Sequence, residues 1–558
     1  MKMILLLFLV LVLGGQDVSS SFHLLPGKKT HTHYCSNHSH QQHRYGMNVK
    51  RDTTASKSTA LKVLSGGGGV VDFDDDVNGE DKSHEGIKLS IIVGVITATM
   101  GYIYGKVLSF SVTTLWHTLP SMLLSEKLNP AYFITGICTI GGFIMGILSL
   151  ALGSSTFTVA DFVSLFASRG PKSLPSSRVH LLPLLLLSLV TSTFGFSVGP
   201  EAPMICAGAL IGASVARYWY GIGDDHVDNE NHQETLAYAG AAGALTAFMG
   251  IPIAGSIFAL ELTSSHAGLN KAGGKKALSS TIISSIAALV VIRGILQPQA
   301  LIGGHFNYGT VGSLTGRTMI ITAVACGAGG AFLGTVFHKL VGVIKKIAWT
   351  AKISNDGAKS DNINNNKNLW KRLIFIKTLI GLIVGLISSF YPQTLFWGEG
   401  SLQTMISGQQ IAFVDTKHGL SHLLTSSALV DPSLPFETAA AAAHVGIAKL
   451  FAIALACAGK FPGGIIFPLM FAAAPLAHSI SSLLCVSSGL VPIVVMCLMA
   501  ATQASVTRTP LATVLILSLT ASAQTELSVM LPGMILSSYL GVYFSSLLSK
   551  KSYFSYGW

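Results

Sequence analysis

From about residue 88 onward, long apolar stretches alternate with short polar breaks. The clearest run over 88–108, 131–152, 180–196, 277–295, 318–344, 373–390 and 491–519. Many reach the roughly 20 residues that a helix needs to cross bilayer hydrocarbon, and they carry hardly any charge. The pattern therefore predicts an all-α polytopic membrane protein. Two polar segments, 223–234 and 352–368, interrupt it and read as solvated loops; the second is too asparagine-rich for a folded domain.

Ahead of residue 88 the character differs. Lys2, an apolar run from Met3 to Leu13 and small residues at Ser19 and Ser21 read as a secretory signal over 1–21. The short apolar core argues against a first transmembrane anchor. Residues 22–62 hold seven Lys/Arg, one acidic residue (Asp52), many hydroxyl residues and six histidines. Basic, hydroxyl-rich and acid-poor composition is that of an organelle transit peptide. The irregular spacing of His23, His31, His33, His38, His40 and His43 favours a disordered basic tail over a metal site. A signal followed by a transit-like stretch beginning at Phe22 resembles the bipartite plastid presequences of algae with complex plastids. Gly66–Gly69 and the acidic run after it complete a linker, so that 22–87 reads as one segment ahead of the membrane domain.

Composition narrows the function. Half of the 558 residues are hydrophobic and 11% are charged, against roughly 25% in soluble domains; mean hydropathy is +0.57. The formal charge of +11 does not indicate a nucleic-acid partner, because residues 1–62 carry eight basic and two acidic side chains, more than half of the excess. The seven cysteines are scattered without a paired spacing, so neither a disulfide framework nor a metal centre is expected. No HExxH motif or serine/histidine pair points to an enzyme, and no cofactor is expected.

Two regions of the membrane domain echo each other. Gly199-Pro200-Glu201-Ala202-Pro203 and Gly464-Ile465-Ile466-Phe467-Pro468 both read GxxxP and both open apolar stretches. Further along, Pro252-Ile253-Ala254 and Pro510-Leu511-Ala512 correspond at nearly the same distance, which predicts duplicated halves at about 88–300 and 314–558. Repeated halves of transporters usually pack with inverted topology around a site near the midplane, built from helices that begin inside the membrane. Glycine lets the chain turn, and proline suits the first helical turn. A helix starting there presents unpaired N–H groups and the positive end of its dipole, which favours an anion over a cation. An unpaired carboxylate in a membrane is costly and functional by default, so Glu201 stands out. The bland alternative is a glutamate that only caps its helix.

At these motifs the sequence resembles the CLC family of chloride channels and chloride/proton antiporters. The family pattern G-[KR]-E-G-P appears as Gly199 to Pro203, and G-x-F-x-P as Gly464 to Pro468. Ala239 to Gly243, Pro252 to Gly255, Ala500 to Ser505 and Thr509 to Ala512 also match, in order. The departures are Pro200 for the basic residue, Ala202 for glycine and Ile466 for phenylalanine. The third motif, G-S-G-I-P, is at best Gly153-Ser154-Ser155-Thr156-Phe157. The resemblance implies two inverted halves over 88–558, with broken and tilted helices, in a homodimer with one pathway per subunit. Because the chain ends soon after Tyr553, the paired cytosolic nucleotide-binding modules of many eukaryotic relatives are not expected.

It also implies roles. Glu201 is the gate, Ser154 and Tyr553 donate hydroxyl bonds to a central chloride, and the N–H groups of Ile465 and Ile466 complete the shell. Gly199, Pro203, Gly464 and Pro468 mark the two anion-site helix starts. Serine at 154 favours chloride over nitrate. Tyr553 also reads as an interfacial tyrosine, given Tyr543 and Trp558 nearby. Leu262 falls where antiporters of the family keep an inner, proton-carrying glutamate, while its neighbour is Glu261. Glu261, Lys449 and Arg508 otherwise read as structural pairs or vestibule charges, and Lys460 as a snorkelling or anion-gathering lysine. A passive chloride channel is the first reading and a chloride/proton antiporter the second. The expected membrane is that of a plastid, otherwise an endomembrane.

Overall fold

In the computed structural model, the described residues are 77–120, 130–152, 177–220, 227–267, 273–296, 306–312, 315–349, 363–410, 434–436, 438–549 and 553. The leader, residues 22–76 and Ser154 lie outside them; 77–87, read above as the end of the linker, are helical instead.

Among the described residues the chain forms α-helices, short π and 3-10 turns and a two-residue ladder pairing Gln409–Gln410 with Leu434–Pro435. The helices are α1 (Val77–Thr113), α2 (Pro130–Ala151), α3 (Ser177–Thr193), α4 (Glu201–Tyr220), α5 (Val227–Met249), α6 (Pro252–Ala267) and α7 (Gly273–Val290). There follow α8 (Gly316–Trp349), α9 (Ile363–Phe390), α10 (Leu402–Ile406), α11 (Ala439–Ala458), α12 (Ile466–Leu483), α13 (Val491–Thr507), α14 (Pro510–Thr520) and α15 (Leu527–Leu548). Eight of the described helices are long and apolar enough to span a membrane. Three of these, α11, α12 and α15, go beyond the stretches that hydropathy marked most clearly.

The apolar stretch 491–519 is two helices, not one. α13 stops at Arg508, which takes the left-handed conformation (φ 61°), and α14 starts at Pro510. Proline has no N–H to continue the ladder and disfavours helical geometry in the residue before it.

The duplicated pattern carries through to the helices. Glu201 and Ile466 are each the first residue of a helix, and Pro203 and Pro468 the third. Pro252 and Pro510 each open another. Small residues let the helices close on one another. α4 and α5 approach so closely at Gly208 and Gly240 that a Cβ on either would overlap the other's carbonyl. The fold is that of two inverted halves of tilted and broken helices.

Candidate functional site

The two GxxxP segments meet. Gly199 N–H donates to the Gly464 carbonyl (2.9 Å) and Gly464 N–H donates back to Gly199 (2.5 Å), an isolated antiparallel bridge. From this bridge α4 and α12 each begin two residues later. α12 has no side-chain cap, and Ile465 and Ile466 are both buried at its start. Its first N–H groups are the orphan donors that any helix start leaves.

Glu201 lies at this junction, wholly buried (0% exposed). Its carboxylate faces the N–H groups of Phe467 and of Glu201 itself, without a full hydrogen bond to either oxygen. Both glycines are needed for it to fit. A Cβ on Gly199 would overlap Oε2, and one on Gly464 would stand 2.5 Å from it. The structure thus brings together Gly199, Glu201, Pro203, Gly464, Ile465, Ile466 and Pro468.

Tyr553 packs against α8 and α11. Its ring packs near Phe337 (5.8 Å) and His338 (6.5 Å) of α8, and its side chain bonds Cys457 of α11. Ser154 lies outside the described residues. Leu262 is buried in α6, and the adjacent Glu261 accepts from the N–H groups of Leu511 (3.1 Å) and Ala512 (2.8 Å), capping α14.

Three features escaped the sequence reading. The first is Phe467, whose N–H faces the Glu201 carboxylate; the GxxxP motif that marked Ile465 and Ile466 also contained it. The second is the segment 391–401, which leans on the irregular stretch 195–198 leading into Gly199. Phe396 N–H donates to Gly195 (3.1 Å), and the Ser197 hydroxyl donates to the Thr394 carbonyl (2.5 Å). Lys449, fully buried, donates to Thr394 (3.0 Å), Leu395 (3.5 Å) and Phe396 (2.6 Å) and sits over the Phe471 ring. Lys449 had drawn attention only as a charge in apolar sequence. The third is Glu399 in the same segment, which accepts from the Trp397 indole (2.9 Å) and lies within electrostatic reach of Glu201. No sequence pattern ties those two together.

A buried carboxylate between two helix starts, inside a bundle of broken helices long enough to span a membrane, fits an ion-transport protein. The family model described as voltage gated chloride channel matches residues 166–541, and the chain belongs to that family, the CLC proteins. It is 25% identical over 332 residues to chloride channel protein CLC-e of Arabidopsis thaliana, covering 57% of this chain. The match spans only 42% of that relative's length. The putative ion-transport protein YfeO of Escherichia coli O6:H1 is 23% identical over 386 residues, 68% of this chain and 75% of that protein. Among solved structures, a slow cyanobacterial chloride/proton antiporter superposes with TM-score 0.60 at 15% identity, and a CLC-type fluoride/proton antiporter with 0.57 at 17%. Each covers 84% of this chain and 96% of its own. At such identities the likeness is one of fold.

Proposed function

We propose that this protein is a passive chloride channel gated by Glu201. The observation that carries the reading is the Glu201 carboxylate buried between the N-termini of α4 and α12, facing the Phe467 N–H without a full hydrogen bond to either oxygen. Those termini favour negative charge, so carboxylate and chloride compete for one place. Ionised, the side chain blocks the path; protonated or displaced, it leaves the place to the anion. Ile465 and Ile466 offer backbone donors, and Tyr553 and Ser154 are assigned the hydroxyls of a more central chloride site.

Passive conduction over antiport is supported at α6. The inner position is Leu262, which holds no proton, and Glu261 beside it is engaged with the start of α14. The neighbouring folds include antiporters, so the second reading is chloride/proton exchange with Glu201 as the shared group. Liposomes loaded with chloride and carrying an external pH electrode decide between them. Chloride efflux with no uphill proton uptake fits the channel; proton uptake abolished by Glu201→Ala establishes exchange.

The same proposal includes a homodimer in the membrane, checked by cross-linking in liposomes. It also includes delivery to a plastid by residues 1–62, checked by a reporter fused to them.

A further inference from the structure

Toward its end α3 carries two serines one turn apart, Ser188 and Ser192, a spacing that sets both on one helix face. α1 lays Tyr104 against that face: its phenol and the Ser188 hydroxyl share a hydrogen bond of 2.9 Å. The Ser192 hydroxyl stands beside the same phenol, yet makes no full hydrogen bond of its own. All three side chains are buried, at 1% exposure or less. Just beyond α1 the Trp116 indole donates to the Thr193 carbonyl (2.7 Å), which pins the two helices together at the last turn of α3. From there the chain runs through 194–198 into the joint. The charge of Glu201 reaches the Tyr104 phenol.

The carboxylate and the hydroxyls complement each other. Glu201 holds two buried acceptor oxygens without a full hydrogen bond, and Ser192 a buried hydroxyl without one. Groups left so are costly, and bringing the carboxyl to the hydroxyls relieves both sides at once. A hydroxyl donates to an ionised carboxylate and accepts from a protonated one, so this cluster suits Glu201 in either state. The N–H groups at the helix starts can only donate, and they favour the ionised form. Tyr104 is held by packing between two helices, whereas Glu201 turns about its side-chain torsions without moving α4. The charged group that reaches Glu201 from another element is Glu399, in the segment 391–401. Being a like charge, it repels an ionised carboxylate rather than seating it.

We propose that the hydroxyls of Tyr104 and Ser192 form a second seat for the Glu201 side chain, occupied when it has left the helix starts. The consequence for flux rests on the transport reading; the seat itself does not. Tyr104→Phe keeps the ring and removes the hydroxyl. Chloride efflux from liposomes at acid pH should then fall about fivefold, the contribution of roughly one hydrogen bond, while the low efflux at alkaline pH stays as in the wild type. Ser192→Ala should act in the same direction and more weakly. In a Glu201→Ala background neither substitution should change efflux, because no side chain remains to be seated. A fall of equal size in that background overturns the proposal, since Tyr104 would then act on the ion path or on folding. A pH profile unchanged in both single variants overturns it as well. A second readout needs no transport. The infrared difference spectrum of the detergent-solubilised full chain, acid against alkaline, contains the carboxyl C=O band of Glu201, identified by its loss in Glu201→Gln. That band should shift in Tyr104→Phe and in Ser192→Ala; a band that stays in place in both removes the seat. A shifted band in a protein that passes no chloride sinks the transport reading and leaves the seat standing.

Discussion

Gly199 and Gly464, 265 positions apart in the chain, exchange backbone hydrogen bonds with each other and leave room between them for the Glu201 carboxylate. The relationship is nearly symmetric: each glycine stands two residues ahead of a helix, and each helix carries proline at its third position. The joint between the two segments and the seat of the proposed gate are therefore one structure.

Removing the carboxylate tests the gate directly. Glu201→Ala and Glu201→Gln should both conduct chloride with little dependence on pH. Wild-type flux should rise as pH falls, because protonation takes away the charge that holds the side chain at the helix starts. Chloride efflux from liposomes between pH 5 and 8 provides the measurement. Variants that retain the wild-type pH profile reduce Glu201 to a helix cap.

Adding a methyl group at the joint should act through the same side chain. In Gly464→Ala the new Cβ would stand 2.5 Å from Glu201 Oε2, and overpacking of this kind costs about 1–3 kcal/mol. The carboxylate is the movable partner, so the expected result is a weakened gate: higher flux at neutral pH and a flatter profile. Combining it with Glu201→Ala should add little further, since the contact with the carboxylate then disappears and only a 3.1 Å approach to the Ala202 nitrogen remains. An additive loss of flux in the double variant would mean that the joint itself is distorted.

The pattern along the sequence was a good guide to this joint and a poor one to what holds it. GxxxP recurs because the chemistry of a helix start inside a membrane repeats in both halves, so the motif could be read without coordinates. The helix break inside 491–519 was partly hidden: hydropathy runs straight across Arg508, and only Pro510 announces the stop. Lys449 was legible as an anomaly but not as a clamp. Its partners are the carbonyls of Thr394, Leu395 and Phe396, and backbone carbonyls leave no mark on a sequence. Glu399 approaches Glu201 from a segment nearly two hundred residues away, with no periodicity to connect them.

Lys449→Met should therefore destabilise the protein and disturb the gate together. The substitution keeps the apolar stem and removes the donor from three carbonyls. Leaving such buried groups unsatisfied costs roughly 1–3 kcal/mol each. Thr394 remains bonded by Ser197, and Phe396 still holds Gly195, so the segment should loosen without detaching. The measurements are thermal melting in detergent and the pH profile of chloride flux. A lowered melting temperature with an unchanged profile would confine Lys449 to folding.

The last prediction concerns the only carboxylate in α6, Glu261. It accepts from the N–H groups of Leu511 and Ala512, at the second and third residues of α14. Thr509, the residue before that helix, supplies no side-chain cap of its own, so Glu261 satisfies from another helix the donors that a local cap would usually take. The adjacent Leu262 is fully buried and cannot bind a proton. A proton crossing at this level would have to use Glu261, and protonating it would weaken its bonds to the α14 terminus, since ionised acceptors bond about twice as strongly as neutral ones. Glu261→Gln keeps an acceptor and removes the charge, while Glu261→Ala removes both. If the carboxylate is a cap, Glu261→Ala should lower stability by about 0.5–2 kcal/mol and Glu261→Gln by less. In both variants chloride flux and its pH profile should stay as in the wild type. Chloride flux and proton movement, measured in parallel under an imposed chloride gradient, decide the matter. A proton current present in the wild type and lost in Glu261→Gln would make this residue a relay and the protein an exchanger.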